Sequence, residues 1–201
     1  MRILVVGATG TIGRAVVTAL SPRHDIVPVT RRHTAITADL ARPDSIRVLY
    51  QALGQVDAVV CAAGDAKFAP LDQLSDSDFQ FSLNNKLLGQ VNLVRYGFAH
   101  VRDGGSFTLT SGILARTPMP GSAAVSLVNS GLEGFTRAAA LEAPRGIRVN
   151  AVSPPWVTET LQALGMDPSQ GLPAASVARS YVESVEGKQS GAVFEPAGTD
   201  R

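Results

Sequence analysis

Short apolar runs alternate along this chain with stretches in which apolar residues return every three or four positions. The first pair sets the pattern. Arg2-Ile3-Leu4-Val5-Val6 reads as a buried strand that stops at a glycine. Ile12, Ala15, Val16, Ala19 and Leu20 then share one face of a helix, closed by Ser21-Pro22. Ile26 to Thr30 predicts a second strand, in which Pro28 suits an edge or a strand start. Ala35 to Leu40 predicts another strand so soon afterwards that no crossover helix fits between them. Pro43-Asp44-Ser45-Ile46 opens a helix with Asp44 or Ser45 as its cap and Ile46, Leu49, Tyr50 and Leu53 as its apolar face.

Val56 to Gly64 is the next strand, running into a turn of small residues. Leu83, Leu87, Val91, Val94 and Phe98 keep helical spacing and predict one long amphipathic helix. Gly104-Gly105-Ser106 predicts a turn into the strand Phe107 to Thr110, which ends at Ser111-Gly112. Ala123 to Ala143 predicts a second long helix, on Val125, Val128, Leu132, Phe135 and Ala139, and Arg148 to Val152 a strand closed by Ser153-Pro154-Pro155. Val177, Tyr181 and Val182 mark a last helix, and Gly191 to Pro196 a last strand. Strands alternating with helices throughout predict an α/β fold with a doubly wound parallel sheet in three αβα layers.

At 201 residues the chain can bury a sizeable core, and without a linker, repeat or low-complexity block it reads as a single domain, 1–201. Charged residues make up only 17%, and the net charge of +1 offers no broad basic field, so neither nucleic acid nor a membrane surface is expected as a partner. The single cysteine, Cys61, closes an apolar run and reads as a buried structural thiol. His24, His33 and His100 are scattered, zinc-type spacings are absent, and no metal is expected. The sequence shows no basic-then-apolar leader and no apolar run near the length of a membrane span, so the expectation is a cytoplasmic protein.

Candidate chemistry begins at Gly7-Ala8-Thr9-Gly10-Thr11-Ile12-Gly13, between the first strand and the first helix. That arrangement aims several backbone N–H groups and the positive end of a helix dipole at one point, which a pyrophosphate satisfies. Gly7 allows the turn, Gly10 lets a phosphate approach the backbone, and Gly13 lets the helix lie close to the sheet. A purely structural glycine turn is the alternative. The second strand ends in Arg31-Arg32, where a dinucleotide fold meets the adenosine ribose. An acid there would hold the 2′-hydroxyl of NAD; two arginines offer donors to a 2′-phosphate and point to NADP, the alternative being an exposed basic turn. Arg14 is a further candidate for that phosphate.

Taken together, the chain resembles the short-chain dehydrogenase/reductase family over essentially its whole length. The matching pieces are the Gly7–Gly13 turn, Asp39-Leu40, and Cys61-Ala62-Ala63-Gly64, which is similar to the family's Asn-Asn-Ala-Gly. The run Leu132-Glu133-Gly134-Phe135-Thr136-Arg137 through Leu141-Glu142 also matches, as does Gly146-Ile147-Arg148-Val149-Asn150-Ala151-Val152-Ser153-Pro154. The resemblance implies a Rossmann-type domain holding NAD(P), with Asp39 and Leu40 near the adenine and Ala62, Ala63 and Gly64 along the nicotinamide ribose. Pro154-Pro155-Trp156-Val157-Thr158-Glu159-Thr160 resembles the family's Pro-Gly turn and nicotinamide-contacting Thr, which implies roles for Pro154, Val157 and Thr158; Pro155 stands for the Gly and Glu159 in the Thr register. Trp156 reads either as a pocket wall or as a core aromatic.

The family's Asn, Ser, Tyr and Lys tetrad is altered. The resemblance puts Val125 at the Tyr, Asn129 at the Lys, Gly112 at the Ser with Ser111 just before it, and Lys86 at the Asn, or Asn85 with a one-residue slip. Valine transfers no proton, and no tyrosine lies between Tyr96 and Tyr181. Lys and Asn have changed places, which would leave Lys86, Asn129 and Ser111 as a catalytic cluster. Three readings follow: an oxidoreductase acting on a small carbonyl or alcohol with Lys86 as acid/base, an NADP(H)-binding sensor or scaffold without turnover, and a non-redox enzyme reusing the pocket. The stretch from Gln162 to Leu172 stands for a longer family lid. The two long helices are expected to pair with their copies in a homodimer or homotetramer.

Overall fold

Ile3, Leu4, Val5 and Val6 are all buried, as they must be in a strand covered on both faces. The computed structural model describes residues 1–32 and 34–197; His33 and residues 198–201 lie outside the described residues. The strands are β1 (Arg2–Val6), β2 (Asp25–Thr30), β3 (Ile36–Thr37), β4 (Val56–Cys61), β5 (Val101–Thr110), β6 (Arg148–Val152) and β7 (Val193–Phe194). They form one sheet in the order β3-β2-β1-β4-β5-β6-β7, and every pairing is parallel. Alternate residues of β1 and β4 feed two cores. Ile3, Val5, Ala58 and Val60 pack under α1 (Thr11–Leu20) and α7 (Ala174–Glu186). Leu4, Val6, Val59 and Cys61 pack under α2 (Pro43–Leu53), α4 (Gly89–Gly97) and α5 (Ala123–Glu142). The architecture is the three-layer αβα, Rossmann-type doubly wound sheet.

Several boundaries differ from expectation for local reasons. The third strand shrinks to Ile36–Thr37, because its register reaches only Val29 and Thr30 of β2. Pro28 therefore pairs with β1 alone, and its missing N–H costs no ladder bond on the other side. Neither Asp44 nor Ser45 caps α2; the cap is Arg42 with Pro43 in the first turn, and Ser45 Oγ instead accepts the Asp39 N–H at 2.9 Å. Gly104 and Gly105 lie within β5, which starts at Val101, and the register against β4 slips between Val56 and Ala58. A Cβ at Gly105 would stand 2.4 Å from the Asp57 carbonyl oxygen, so the irregularity needs glycine there.

The expected helix over Leu83–Phe98 is built of three parts. It begins earlier, with α3 (Asp76–Ser82) capped by a reciprocal Ser75–Asp78 box, passes through a π-helical turn at Leu83–Leu88, and continues as α4. Such a turn changes the direction in which successive side chains leave the axis. It holds Asn85 and Lys86. A short helix that the periodicity did not predict, α6 (Thr158–Ala163), follows the end of β6.

Candidate active site

Parallel strands raise their carboxyl ends to one edge of the sheet, and the chain leaves β1 toward β2 on one side while β4 lies on the other. The crevice at that reversal is where a doubly wound sheet holds its ligand. The glycine turn sits there. Gly7 has φ +85°, and a Cβ on it would approach the Ala62 carbonyl oxygen to 2.7 Å. A Cβ on Gly13 would come within 1.9 Å of the Gly7 carbonyl oxygen, so α1 lies against the turn only because residue 13 has no side chain. Gly10 is exposed and precedes the first turn of α1, whose N–H groups have no partners within the helix.

Three adjoining cavities run along the carboxyl edge. The first, about 240 Å³, has Ile12, Ala62, Ala63 and Gly64 on one side and Ser111, Gly112 and Asn129 on another, with Pro154 and Trp156 at its end and Lys86 in its wall. The second, about 190 Å³, shares Ala63 and Gly64 and continues past Gly7, Thr9, Asp39 and Leu40 to Arg31, with Asn85 in its lining. The third, about 310 Å³, is formed by Thr9, Thr30, Arg31 and Arg32. Along this edge the lining passes from the small side chains of Ala62, Ala63 and Gly64, past the glycine turn, to the two exposed guanidiniums of Arg31 and Arg32, the kinds of group that would meet the ribose, the pyrophosphate and a 2′-phosphate of a dinucleotide.

Not every candidate lies in this cleft. Thr11 and Arg14 line a separate groove between α1, α6 and the start of α7, together with Glu159. Arg14 is thereby set apart from Arg31 and Arg32. Val157 is buried and bridges to Leu172, and the Thr158 N–H donates to the Leu172 carbonyl; neither is among the cleft's lining residues. Glu159 accepts the Ala174 N–H with both carboxylate oxygens (2.9 and 3.2 Å) and so caps α7. Trp156 walls the first cavity.

Lys86, Ser111, Gly112 and Asn129 line one cavity, and Val125 does not. Val125 is half-buried in the first turn of α5, outside the cavity lining. Asn129 Nδ2 donates to the Gly112 carbonyl at 3.4 Å, and a Cβ at residue 112 would stand 2.9 Å from that nitrogen. The carboxamide occupies the space a side chain at 112 would enter, so glycine there and asparagine at 129 are mutually adapted. Asn129 Oδ1 is buried without a hydrogen-bond partner among the described residues. The Ser111 hydroxyl is turned toward α5 at 3.1 Å from both the Asn129 carbonyl and Glu133 Oε1. Ser111 therefore offers the cleft its carbonyl oxygen, which accepts from Lys86 Nζ at 3.4 Å.

Lys86 reaches the cavity over Gly64: a Cβ there would lie 3.0–3.2 Å from the Lys86 Cα, Cβ and Cγ. Burial pulls its ammonium down to about 8, partly offset by Cys61 and Asp65. Burial also pushes the Cys61 thiol up to about 12, so it is uncharged when Lys86 titrates and Asp65 is the operative counter-charge. The thiol is the inert, buried group expected. Tyr181 cannot stand in for the missing tyrosine. It is buried on α7 across the sheet, with its hydroxyl 2.6 Å from Thr110 Oγ1, which itself donates to the Cys61 carbonyl.

Two residues escaped the sequence reading. In the sequence Glu133 is only one residue of a matching string, yet in the fold its carboxylate accepts the Ser111 hydroxyl. Gln90 is fully buried and pairs in both directions with the Thr110 backbone, accepting its N–H (2.8 Å) and donating to its carbonyl (3.0 Å). A polar residue on the apolar side of a predicted helix was the available signal for Gln90.

The family model described as Enoyl-(Acyl carrier protein) reductase matches residues 11–190. The chain belongs to the short-chain dehydrogenase/reductase family. Among its relatives in that family is the hydroxynaphthalene reductase arp2 of Aspergillus fumigatus, 35% identical over 137 residues, which are 66% of this chain and 50% of that protein. The match thus spans about half the length of that curated relative. The protein lin1944 from Listeria innocua is 38% identical, with a TM-score of 0.95 over 98% of this chain and 100% of its own. A short chain dehydrogenase from Burkholderia cenocepacia, solved in complex with NADP, is 25% identical with a TM-score of 0.85 over 98% of this chain and 96% of its own. No helix among the described residues is long and apolar enough to cross a membrane.

Proposed function

We propose that this single domain is an NADP(H)-dependent oxidoreductase acting on a small carbonyl or alcohol, with Lys86 in place of the family's tyrosine as proton donor and acceptor. The observation that carries the reading is the placement of Lys86 in the wall of the cavity where the cleft meets Ser111, Asn129 and Trp156, with its Nζ held at the Ser111 carbonyl and its ammonium pulled down to about 8 by burial. NADP bound to the Burkholderia relative and the reductase name of the Aspergillus relative support it.

Gly7, Gly10 and Gly13 would hold the pyrophosphate, Arg31 and Arg32 the 2′-phosphate, and Ala62, Ala63 and Gly64 the nicotinamide ribose, with Asp39 and Leu40 beside the adenine. NADPH, when bound, supplies the hydride. Lys86 donates one N–H to the Ser111 carbonyl, which leaves two further donors to aim into the cavity. A substrate carbonyl oxygen takes one of them, and that proton passes to it as the alkoxide forms. Asn129, pinned to the Gly112 carbonyl, keeps the cavity's inner wall in place. Ile12, Ile113, Leu114 and Trp156 give the cavity its apolar walls on the side where the reacting carbon would lie.

Titration with NADPH and NADH tests the cofactor. Tight NADPH and weak NADH binding is expected, and Arg31→Ala/Arg32→Ala should weaken NADPH about 10–100-fold while leaving NADH unchanged. Failure to bind either nucleotide would reject the reading. A homodimer or homotetramer through α4 and α5 completes the proposal. Leu127, Gly134, Ala138 and Leu141 form an exposed stripe along α5, and Leu88 is exposed on the adjoining π turn.

A further inference from the structure

Lys86 is unlike the chain's other two lysines. Lys67 pairs with Asp78 and lies over the Phe81 ring, and Lys188 is on the surface after α7. Lys86 leaves a π turn, lays its stem on Gly64 and ends at a carbonyl oxygen; it takes part in no ion pair among the described residues. The charged group nearest in effect is Asp65 on the loop after β4, with Glu133 of α5 turned to the Ser111 hydroxyl. The cavity that Lys86 faces is open to solvent; Ile12, Ile113, Leu114, Pro154, Pro155 and Trp156 give it apolar walls, and Thr110, Ser111 and Asn129 its polar ones. A weakly solvated amine on a packed stem in an accessible, largely apolar cavity has the setting of a carbonyl-capturing nucleophile.

We propose that Lys86 is also a covalent capture site for small aldehydes and ketones, which it binds as an imine without any need for nucleotide. In the step, the neutral Nζ lone pair attacks the carbonyl carbon and the C=O π pair moves to oxygen. Nζ then loses a proton and the oxygen gains one, giving a carbinolamine. Loss of that hydroxyl as water, with the second Nζ proton, leaves the C=N bond; no oxidant or reductant is consumed. At neutral pH about one Lys86 in ten is uncharged, so capture and the proton donation proposed above draw on the two protonation states of one group. The inference shares Lys86 and its cavity with the reductase reading but not the cofactor, and its test contains none.

The experiment exposes the whole chain, free of nucleotide, to butanal or benzaldehyde with sodium cyanoborohydride, which reduces an imine to a stable secondary amine. Intact mass and peptide mapping then separate Lys86 from Lys67, Lys188 and the amino terminus. At pH 7.5 Lys86 should be alkylated about tenfold or more faster than either other lysine, with its rate of capture rising through about pH 8. Lys67→Arg/Lys188→Arg should retain the full Lys86 adduct, and Lys86→Met should lose only that adduct. Equal labelling of the three lysines, or an adduct that persists in Lys86→Met, overturns the proposal. Since wild-type mapping alone decides the matter, poor folding of a variant does not shelter it. NADPH binding that persists without capture would reject the imine and leave the reductase reading standing.

Discussion

Lys86 carries a cost in stability that depends on pH in a definite direction. Its folded value of about 8 lies below the ordinary 10.5, so between these limits the unfolded chain binds more protons than the folded one. The penalty is fully present below about pH 8 and is relieved as the pH rises toward 10.5. Lys86→Met, an apolar side chain of similar length, is expected to be about 1–3 kcal/mol more stable than wild type at pH 7, with the gap closing above pH 8 in urea denaturation. In the same variant, carbonyl reduction should be lost. In wild type, reduction should be level below pH 8 and fall about tenfold per unit above it, because the donating form disappears. At Gly13 the constraint is steric. Gly13→Ala should cost about 3 kcal/mol or more by the same measurement, since its Cβ would meet the Gly7 carbonyl oxygen at 1.9 Å, and backbone must move.

Among the elements, the end of β5 explains why a cavity opens where it does. Strand β5 outruns β4, whose pairing ends at Val60 with Thr108, while β6 still accompanies it to Val152. The Thr110 N–H and carbonyl on the β4 side then need partners, and Gln90 from α4 supplies both. Gln90→Leu keeps the size and strands these two buried groups, so a loss of about 2–4 kcal/mol in urea denaturation is expected. Should the variant be as stable as wild type, the Thr110 backbone has found water and the clamp is dispensable. The π turn before α4 plays the other part. By offsetting the helix it brings Asn85 and Lys86 toward the cleft, with Gly89 pressed against Leu40, where a Cβ would lie 2.7 Å from the Leu40 Cβ.

In the whole molecule, α5 presents an apolar stripe to solvent. Leu141 is 89% exposed and Leu127 48%, on a helix whose other face is core, and Gly134 between them has open space at its Cβ position. Small and apolar residues in such a row suit a second copy packed closely along the helix. Sedimentation should therefore show a dimer or tetramer, and Leu141→Arg should shift it toward monomer without unfolding it, since that side chain contributes little to its own core. A monomeric wild type would reject the assembly.

The sheet, its layers and most element positions could be read from the residues, because strand and helix periods and the glycine turn are local properties of the chain. The same holds for the glycine turn, and the places of Lys86, Asn129 and Ser111 in the family pattern are enough to make them neighbours. Other features required atoms far apart in sequence to meet. The strand ending that recruits Gln90, the diversion of Arg14 and Glu159 to another groove, the Ser111 hydroxyl turned to Glu133, and the π turn beneath Lys86 all depend on how long each strand is relative to its neighbour and on which helix lies over it. Periodicity shows which face a residue occupies; the group it meets across that face is decided only when the layers close.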